Sequence, residues 1–339
     1  MLVFLLMFLT IFAPKAFSQD AITDFVGEYV PGFYGQLYGP SETNAAPQSI
    51  QVELDARSAA IKSNGAFTFA SIGYSNVHQI WCSGEFGSCG AGDMVSEGPT
   101  TVMAKIEALP NRNQDMTLMN CAISGAATND WALPGFSGWD CFVNPPSPVK
   151  VVWFKTAGQT QACRPPEPCT HPKGKCKPPR PCTDPPVLPD ANSPTIKLIQ
   201  DTGDALRNLK NKAPQIEIAF MTSRMYGGFS GHINGEPYAY EMGYAVQHVI
   251  NAQQHQIATG EIDLEAGDLS LNVTPLVAWT GYDWAPNCAD GQRLDGLCYT
   301  EADFEDGKHP SESGINKSSE QAVQHLFSFT SQGNSFLYE

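Results

Sequence analysis

Five short apolar runs with helical stretches between them constrain this sequence more than any other feature. They are Ala66–Ile72, Met116–Cys121, Val149–Phe154, Ile216–Thr222 and Thr274–Trp279. Such runs suit strands buried on both faces of a parallel sheet. Three intervening segments read as helices. Thr195–Lys212 places Ile196, Ile199, Ala205, Leu206 and Leu209 at helical spacing, and Tyr238–Gln254 is a second candidate. The last, Ser311–Thr330, puts Ile315, Ala322, Val323, Leu326 and Phe327 on one face behind Ser311 as its N-cap. Strand–helix alternation of this kind predicts a three-layer α/β domain over residues 65–332. Residues 19–64 mix turn residues with apolar positions and read as an N-terminal extension without an assigned role.

The N-terminus reads differently. Leu2–Phe12 is apolar apart from Thr10 and too short to span a bilayer, and Ala16-Phe17-Ser18 offers small residues for cleavage. Residues 1–18 are therefore expected to be a signal peptide, and no later stretch is long enough for a membrane anchor. Ten cysteines agree with an oxidising compartment. Cys82 with Cys89, Cys121 with Cys141, and Cys288 with Cys298 are the economical local pairings. No Cys-x-x-Cys pair or nearby histidine cluster suggests a metal site, and no cofactor is expected. The net charge of −15 repels phosphate backbones, which argues against a nucleic-acid partner. A secreted or periplasmic location is the expectation.

Residues 163–186 break the pattern, with four cysteines, nine prolines and the cations Arg164, Lys173, Lys175, Lys177 and Arg180. So many prolines exclude helix and interior strand. The segment reads as a disulfide-stapled loop inserted after the third strand, either a basic lip for an anionic polymer or an exposed protease-resistant loop.

Ligands of open α/β sheets gather at the carboxyl ends of the strands. After the first run comes Gly73-Tyr74-Ser75-Asn76, where a serine is either an N-cap or a nucleophile projecting into the crevice. After the second comes Asn120-Cys121-Ala122-Ile123-Ser124-Gly125, whose glycine lets a backbone N–H approach a reacting oxygen. Ahead of the last helix comes Asp306-Gly307-Lys308-His309-Pro310. There an aspartate can orient an imidazole, which can in turn deprotonate a serine.

These three segments, in this order, resemble the SGNH/GDSL hydrolase family from about Phe67 to Phe329. The resemblance implies a flavodoxin-like α/β fold and cleavage of carboxylic esters through an acyl-enzyme. It implies Ser75 as nucleophile, His309 as general base, Asp306 as its orienting acid, and the backbone N–H groups of Ser75 and Gly125 as oxyanion donors. Two departures stand out. Tyr74 occupies the place of the family's aspartate. The family's Gly-x-Asn-Asp motif is replaced by Val152-Trp153-Phe154-Lys155-Thr156-Ala157, so Lys155 becomes a candidate donor. Asn129-Asp130 falls too early to substitute. Arg224, after the fourth run, is a candidate grip for a carboxylate or sugar hydroxyl. Trp279, Tyr282 and Trp284 after the fifth are candidates for a sugar platform. The remaining histidines lack spaced partners.

The expected function is a secreted serine esterase that removes small acyl groups, such as acetyl, from a polysaccharide or small ester. The alternatives are a broad-specificity lipase or aryl esterase, and a non-catalytic carbohydrate-binding protein on the same fold.

Overall fold

The computed structural model describes residues 20–84, 89–158, 185–230 and 234–339. The expected signal peptide and most of the proline-rich insertion, including its four cysteines, lie outside these residues. A hairpin of β1 (Glu28–Val30) and β2 (Phe33–Tyr34) opens the described chain, followed by helix α1 (Gln48–Ser63). Then come strand β3 (Phe67–Ile72), the short helices α2 (Ser75–His78) and α3 (Val102–Glu107), strand β4 (Met116–Asn120) and helix α4 (Thr128–Trp131). Strand β5 (Val149–Lys155) leads to α5 (Pro194–Lys212), β6 (Ile218–Thr222), α6 (Tyr238–Thr259), β7 (Leu276–Trp279) and α7 (Glu312–Ser328).

The five apolar runs form one parallel sheet in the order β4-β3-β5-β6-β7. Counted along the chain, that is 2-1-3-4-5, the flavodoxin-like order. Its topological switch lies where the chain leaves β3 for one side and later returns to the other as β5. Every residue of β3, β6 and β7 is buried, as a sheet covered on both faces requires. Helix α5 packs beside α6 and α4 on one face, and α3 packs beside α7 on the other. The expected three-layer, parallel α/β architecture is the one the chain adopts.

Helix ends follow local chemistry. Ser193 caps α5 by accepting the Ile196 N–H, and Pro194 takes the first turn, where its missing donor costs nothing. Helix α6 runs a turn beyond its expected end, until Gly260 caps it in the left-handed conformation.

Residues 20–64 share the core of the sheet domain. Ile22, Phe33, Leu37, Ile50, Leu54 and Ile61 join the same buried cluster. Helix α1 is tied to the C-terminal segment. Its Gln51 amide donates to the Phe329 carbonyl, and its Ser58 hydroxyl accepts from the Phe336 N–H. Phe336 in turn meets Phe67 and Phe69 edge-on, so the two ends of the described chain close over the sheet together.

Three disulfides join Cys82 to Cys89, Cys121 to Cys141 and Cys288 to Cys298, as the local pairing predicts. Cys121–Cys141 spans 20 residues, and its Cys121 is wholly buried at the end of β4. Replacing both cysteines with serine should lower unfolding stability by about 3 kcal/mol, chiefly by releasing the unfolded chain. Urea titration of the variant and of the parent protein reads this directly, and an unchanged midpoint would contradict it.

Candidate active site

Ser75 begins α2 immediately after β3, and the turn that delivers it depends on Gly73. This residue sits at φ +140°, and a Cβ there would lie 2.5 Å from Val77 Cγ2 and 2.7 Å from the Lys155 carbonyl oxygen. Only glycine allows the chain to leave the sheet this sharply. The Gly73 carbonyl accepts from the Ile123 N–H at 3.1 Å and from the Trp131 indole at 3.2 Å. The turns after β3 and β4 are therefore bound to each other. Beyond α2 a single π-helical turn, Gln79–Ser83, carries Trp81 into the core. Trp81 stacks on Trp153 of β5 and meets Phe69 of β3 edge-on. Fully burying such a side chain contributes about 1.5–3 kcal/mol, and here it anchors the helix that bears Ser75.

The Asp306–His309 loop reaches the same point from the far end of the chain. The Glu305 N–H donates to the His309 carbonyl at 2.9 Å, and Phe304 bridges to Pro310, which closes the loop at its base. Asp306 Oδ1 accepts from the backbone N–H of His309 at 2.8 Å and of Lys308 at 3.1 Å. Its Oδ2 lies 2.9 Å from His309 Nδ1. His309 Nε2 lies 3.0 Å from Ser75 Oγ. An unbroken hydrogen-bonded chain thus runs from carboxylate through imidazole to hydroxyl, joining residues 234 positions apart. Asn76, the neighbour of Ser75, donates its side-chain amide to the Lys308 carbonyl at 3.0 Å. This part-buried contact fastens the serine turn to the histidine loop, and position along the sequence gives no sign of it.

The carboxyl of Asp306 is pulled two ways. Partial burial pushes its pKa up, but the bonds from His309 and Lys308 outweigh burial and hold it below the ordinary aspartate range. The group therefore stays ionised throughout the range in which an imidazole titrates, and it favours the tautomer with a proton on Nδ1.

Ser75, Ser124, Gly125, Arg224, Lys308 and His309 all line one cleft of about 770 Å³ at the carboxyl edge of the sheet. Gly125, at φ +88°, lines the same cleft. Among the described residues, no acceptor is paired with the N–H of Ser75 or of Gly125. After β5, the cleft is lined by Ala157 and Gly158, neither of which carries a side-chain donor.

Three expectations need correction. Lys155 does not reach the cleft. It is wholly buried, and its ammonium is paired with Asp283, which also accepts from Ser318 Oγ at 2.6 Å and Tyr299 OH at 2.9 Å. Burial pushes the lysine pKa down against the pull of that carboxylate. Trp279 and Trp284 form no sugar platform, because both are core residues. The Trp279 indole donates to the Leu37 carbonyl at 2.9 Å, and that of Trp284 donates to Glu236 at 2.8 Å. Tyr282 is likewise buried. A loop that follows a buried strand can remain inside when a further segment, here the N-terminal one, covers it. Asp283 went unnoticed in the sequence because it sits among these aromatics, although a carboxylate in so apolar a stretch implies a buried partner.

The fold and cleft define a class: a three-layer α/β protein of flavodoxin-like topology with a serine–histidine–aspartate chain at the carboxyl edge of its sheet. The strand order is flavodoxin-like, and the turn after β3 meets the loop before α7 at the carboxyl edge of the sheet. No protein-family description and no curated protein matches the sequence. Among solved structures, the chain is similar to the acetylxylan esterase Axe2 from Geobacillus stearothermophilus. That similarity has 13% identity and a TM-score of 0.39, over 80% of this chain and 99% of that one. It is also similar to a GDSL-like lipase from Parabacteroides merdae, with 11% identity and a TM-score of 0.33, over 77% of this chain and 95% of that one.

Lys155→Met tests the structural assignment of the lysine. Leaving Asp283 buried without its counter-ion should cost about 3–5 kcal/mol of stability. The folded fraction should turn over substrate at the parental rate. A thermal melt combined with active-site titration separates the two effects, and a large loss of kcat in fully folded protein would return Lys155 to the reaction.

Proposed function

We propose that this chain is a serine carboxylic-ester hydrolase of the SGNH type, with Ser75 as nucleophile, His309 as general base and Asp306 as its orienting acid. One observation carries the reading: the Asp306–His309–Ser75 hydrogen-bond chain, with distances of 2.9 and 3.0 Å, opens onto the cleft at the sheet's topological switch.

The chemistry follows from that chain. Ser75 Oγ attacks the ester carbonyl while His309 Nε2 takes the hydroxyl proton. Negative charge collects on the former carbonyl oxygen, and the backbone N–H groups of Ser75 and Gly125 are the donors assigned to it. The carbon–oxygen bond to the alcohol breaks, and the alcohol leaves with the proton from His309. Water then attacks the acyl-serine, again losing its proton to His309, and the carboxylic acid departs as Ser75 is restored. Asp306 remains ionised throughout and stabilises the imidazolium formed in each half-reaction.

The cleft wall mixes polar side chains, Asn76, Gln79, Ser124, Arg224 and Lys308, with the small residues Gly125, Ala126, Ala157 and Gly158. Such a wall suits a hydroxyl-rich alcohol and a short acyl group better than a long hydrocarbon chain. An acylated carbohydrate is the substrate class this favours. Three disulfides, and no described helix long and apolar enough to cross a membrane, support a protein that works outside the cytoplasm.

Ser75→Ala should leave folding intact and lower kcat on a short-chain p-nitrophenyl ester by on the order of 10³-fold or more. A fluorophosphonate should label Ser75 in the parent protein. Labelling of a different serine, or near-parental activity in the variant, would remove Ser75 from the reaction.

The pH dependence has a definite sign. The base must be neutral to accept a proton, so kcat/KM should fall on acidification from about pH 8 to about pH 5, as the imidazole becomes protonated. A flat profile across that interval would exclude a histidine base.

A further inference from the structure

The fold accounts less well for Arg224 than for any other buried charge described. It follows β6 and is only 4% exposed, yet it forms part of the wall of the cleft that holds Ser75 and His309. Its Nε–H meets no acceptor. Among the described residues, no carboxylate forms an ion pair with its guanidinium, which instead lies 6.0 Å from the centre of the Tyr74 ring.

The carboxylates nearby are committed elsewhere. Asp283 serves Lys155, Ser318 and Tyr299. Glu236 accepts from the N–H groups of Gly227 and Tyr240 and from the Trp284 indole. Burial raises the Glu236 pKa against the pull of these donors and of the Arg224 charge. Lys155 is a second cation close enough to repel it. A buried guanidinium without a counter-ion is an expensive arrangement, and the Ser75–His309–Asp306 chain has no need of one.

We propose that Arg224 is a specificity residue that binds a carboxylate of the substrate, so that the esters cleaved are acylated acidic sugars. This rests on the ester-hydrolase reading above and names its substrate class. The planar guanidinium matches the two oxygens of a carboxylate, and it lies near the Tyr74 ring. Lys308 adds positive charge on the same wall, while Glu305 supplies one opposing carboxylate. The chain as a whole carries −15, so an anionic substrate gains nothing from the general field and depends on this local group. A cleft of about 770 Å³ leaves room for a sugar unit beside the scissile ester.

The test compares two matched substrates, mono-O-acetylated glucuronate and mono-O-acetylated glucose, with the full-length protein and with Arg224→Met. The parent protein should favour the glucuronate ester by at least roughly tenfold in kcat/KM, the scale of one hydrogen-bonded charge. The variant should bring that ratio close to one. A parental ratio of about one, or a ratio that survives in Arg224→Met, overturns the role of Arg224 while leaving the esterase in place. Cleavage of neither ester, together with no fluorophosphonate label on Ser75, overturns the ester-hydrolase reading itself. Should Arg224→Met fail to fold, competitive inhibition of the parent protein decides. Free glucuronate must inhibit more strongly than glucose, and equal inhibition sinks the proposal.

Discussion

The buried pair between Lys155 and Asp283 is the interaction on which the working end of this molecule depends. Lys155 ends β5, the middle strand of the sheet, and Asp283 lies in the long connection after β7. The same carboxylate accepts from Tyr299 further along that connection and from Ser318 on α7. One charged group therefore ties the central strand to the segment from which the Asp306–His309 loop projects. An ion removed from water is stable only when its remaining hydrogen-bonding capacity is met, and these hydroxyls meet it.

Around that anchor, the turns at the carboxyl edge are bonded to one another as well as to the sheet. Gly73 receives donors from the turn after β4, Thr128 exchanges hydrogen bonds with Ala157 after β5, and Asn76 holds the Lys308 carbonyl. Each is a backbone contact at a strand end, where orphaned donors and acceptors would otherwise face a crevice. Satisfying them also sets the spacing between Ser75, Gly125 and His309. The precision of a catalytic group rests on such supporting contacts more than on the group itself.

Much of this was legible in the sequence because its signals are local. A strand buried on both faces must be apolar throughout, so the five runs marked the sheet, and the helical spacing between them marked the covering layers. The Gly73-Tyr74-Ser75-Asn76 turn and the Asp306-to-His309 spacing were readable for the same reason, since each is a short-range geometric requirement. The surroundings of Lys155 and of Trp279, Tyr282 and Trp284 are not local, because the direction of a side chain at a strand end depends on what covers it. Lys155 turns inward to Asp283, and Leu37, from the N-terminal segment, takes the Trp279 indole.

The sequence by itself determined the class of fold, the local disulfide pairs and the short motifs that could hold a nucleophile and its base. Apolar periodicity, turn chemistry and cysteine spacing act over a few residues and need no knowledge of distant neighbours. Only the tertiary structure decided which of those candidates meet. Ser75 and His309 come within 3.0 Å because the long connection after β7, with α7 packed beside α3, returns the end of the chain to the carboxyl edge of the first parallel strand. The same long-range packing buried Lys155 with Asp283 and left Arg224 in the cleft wall without an ion-pair partner among the described residues. Burial and partnership of a charge depend on residues far away in sequence, so they are settled by packing and not by spacing.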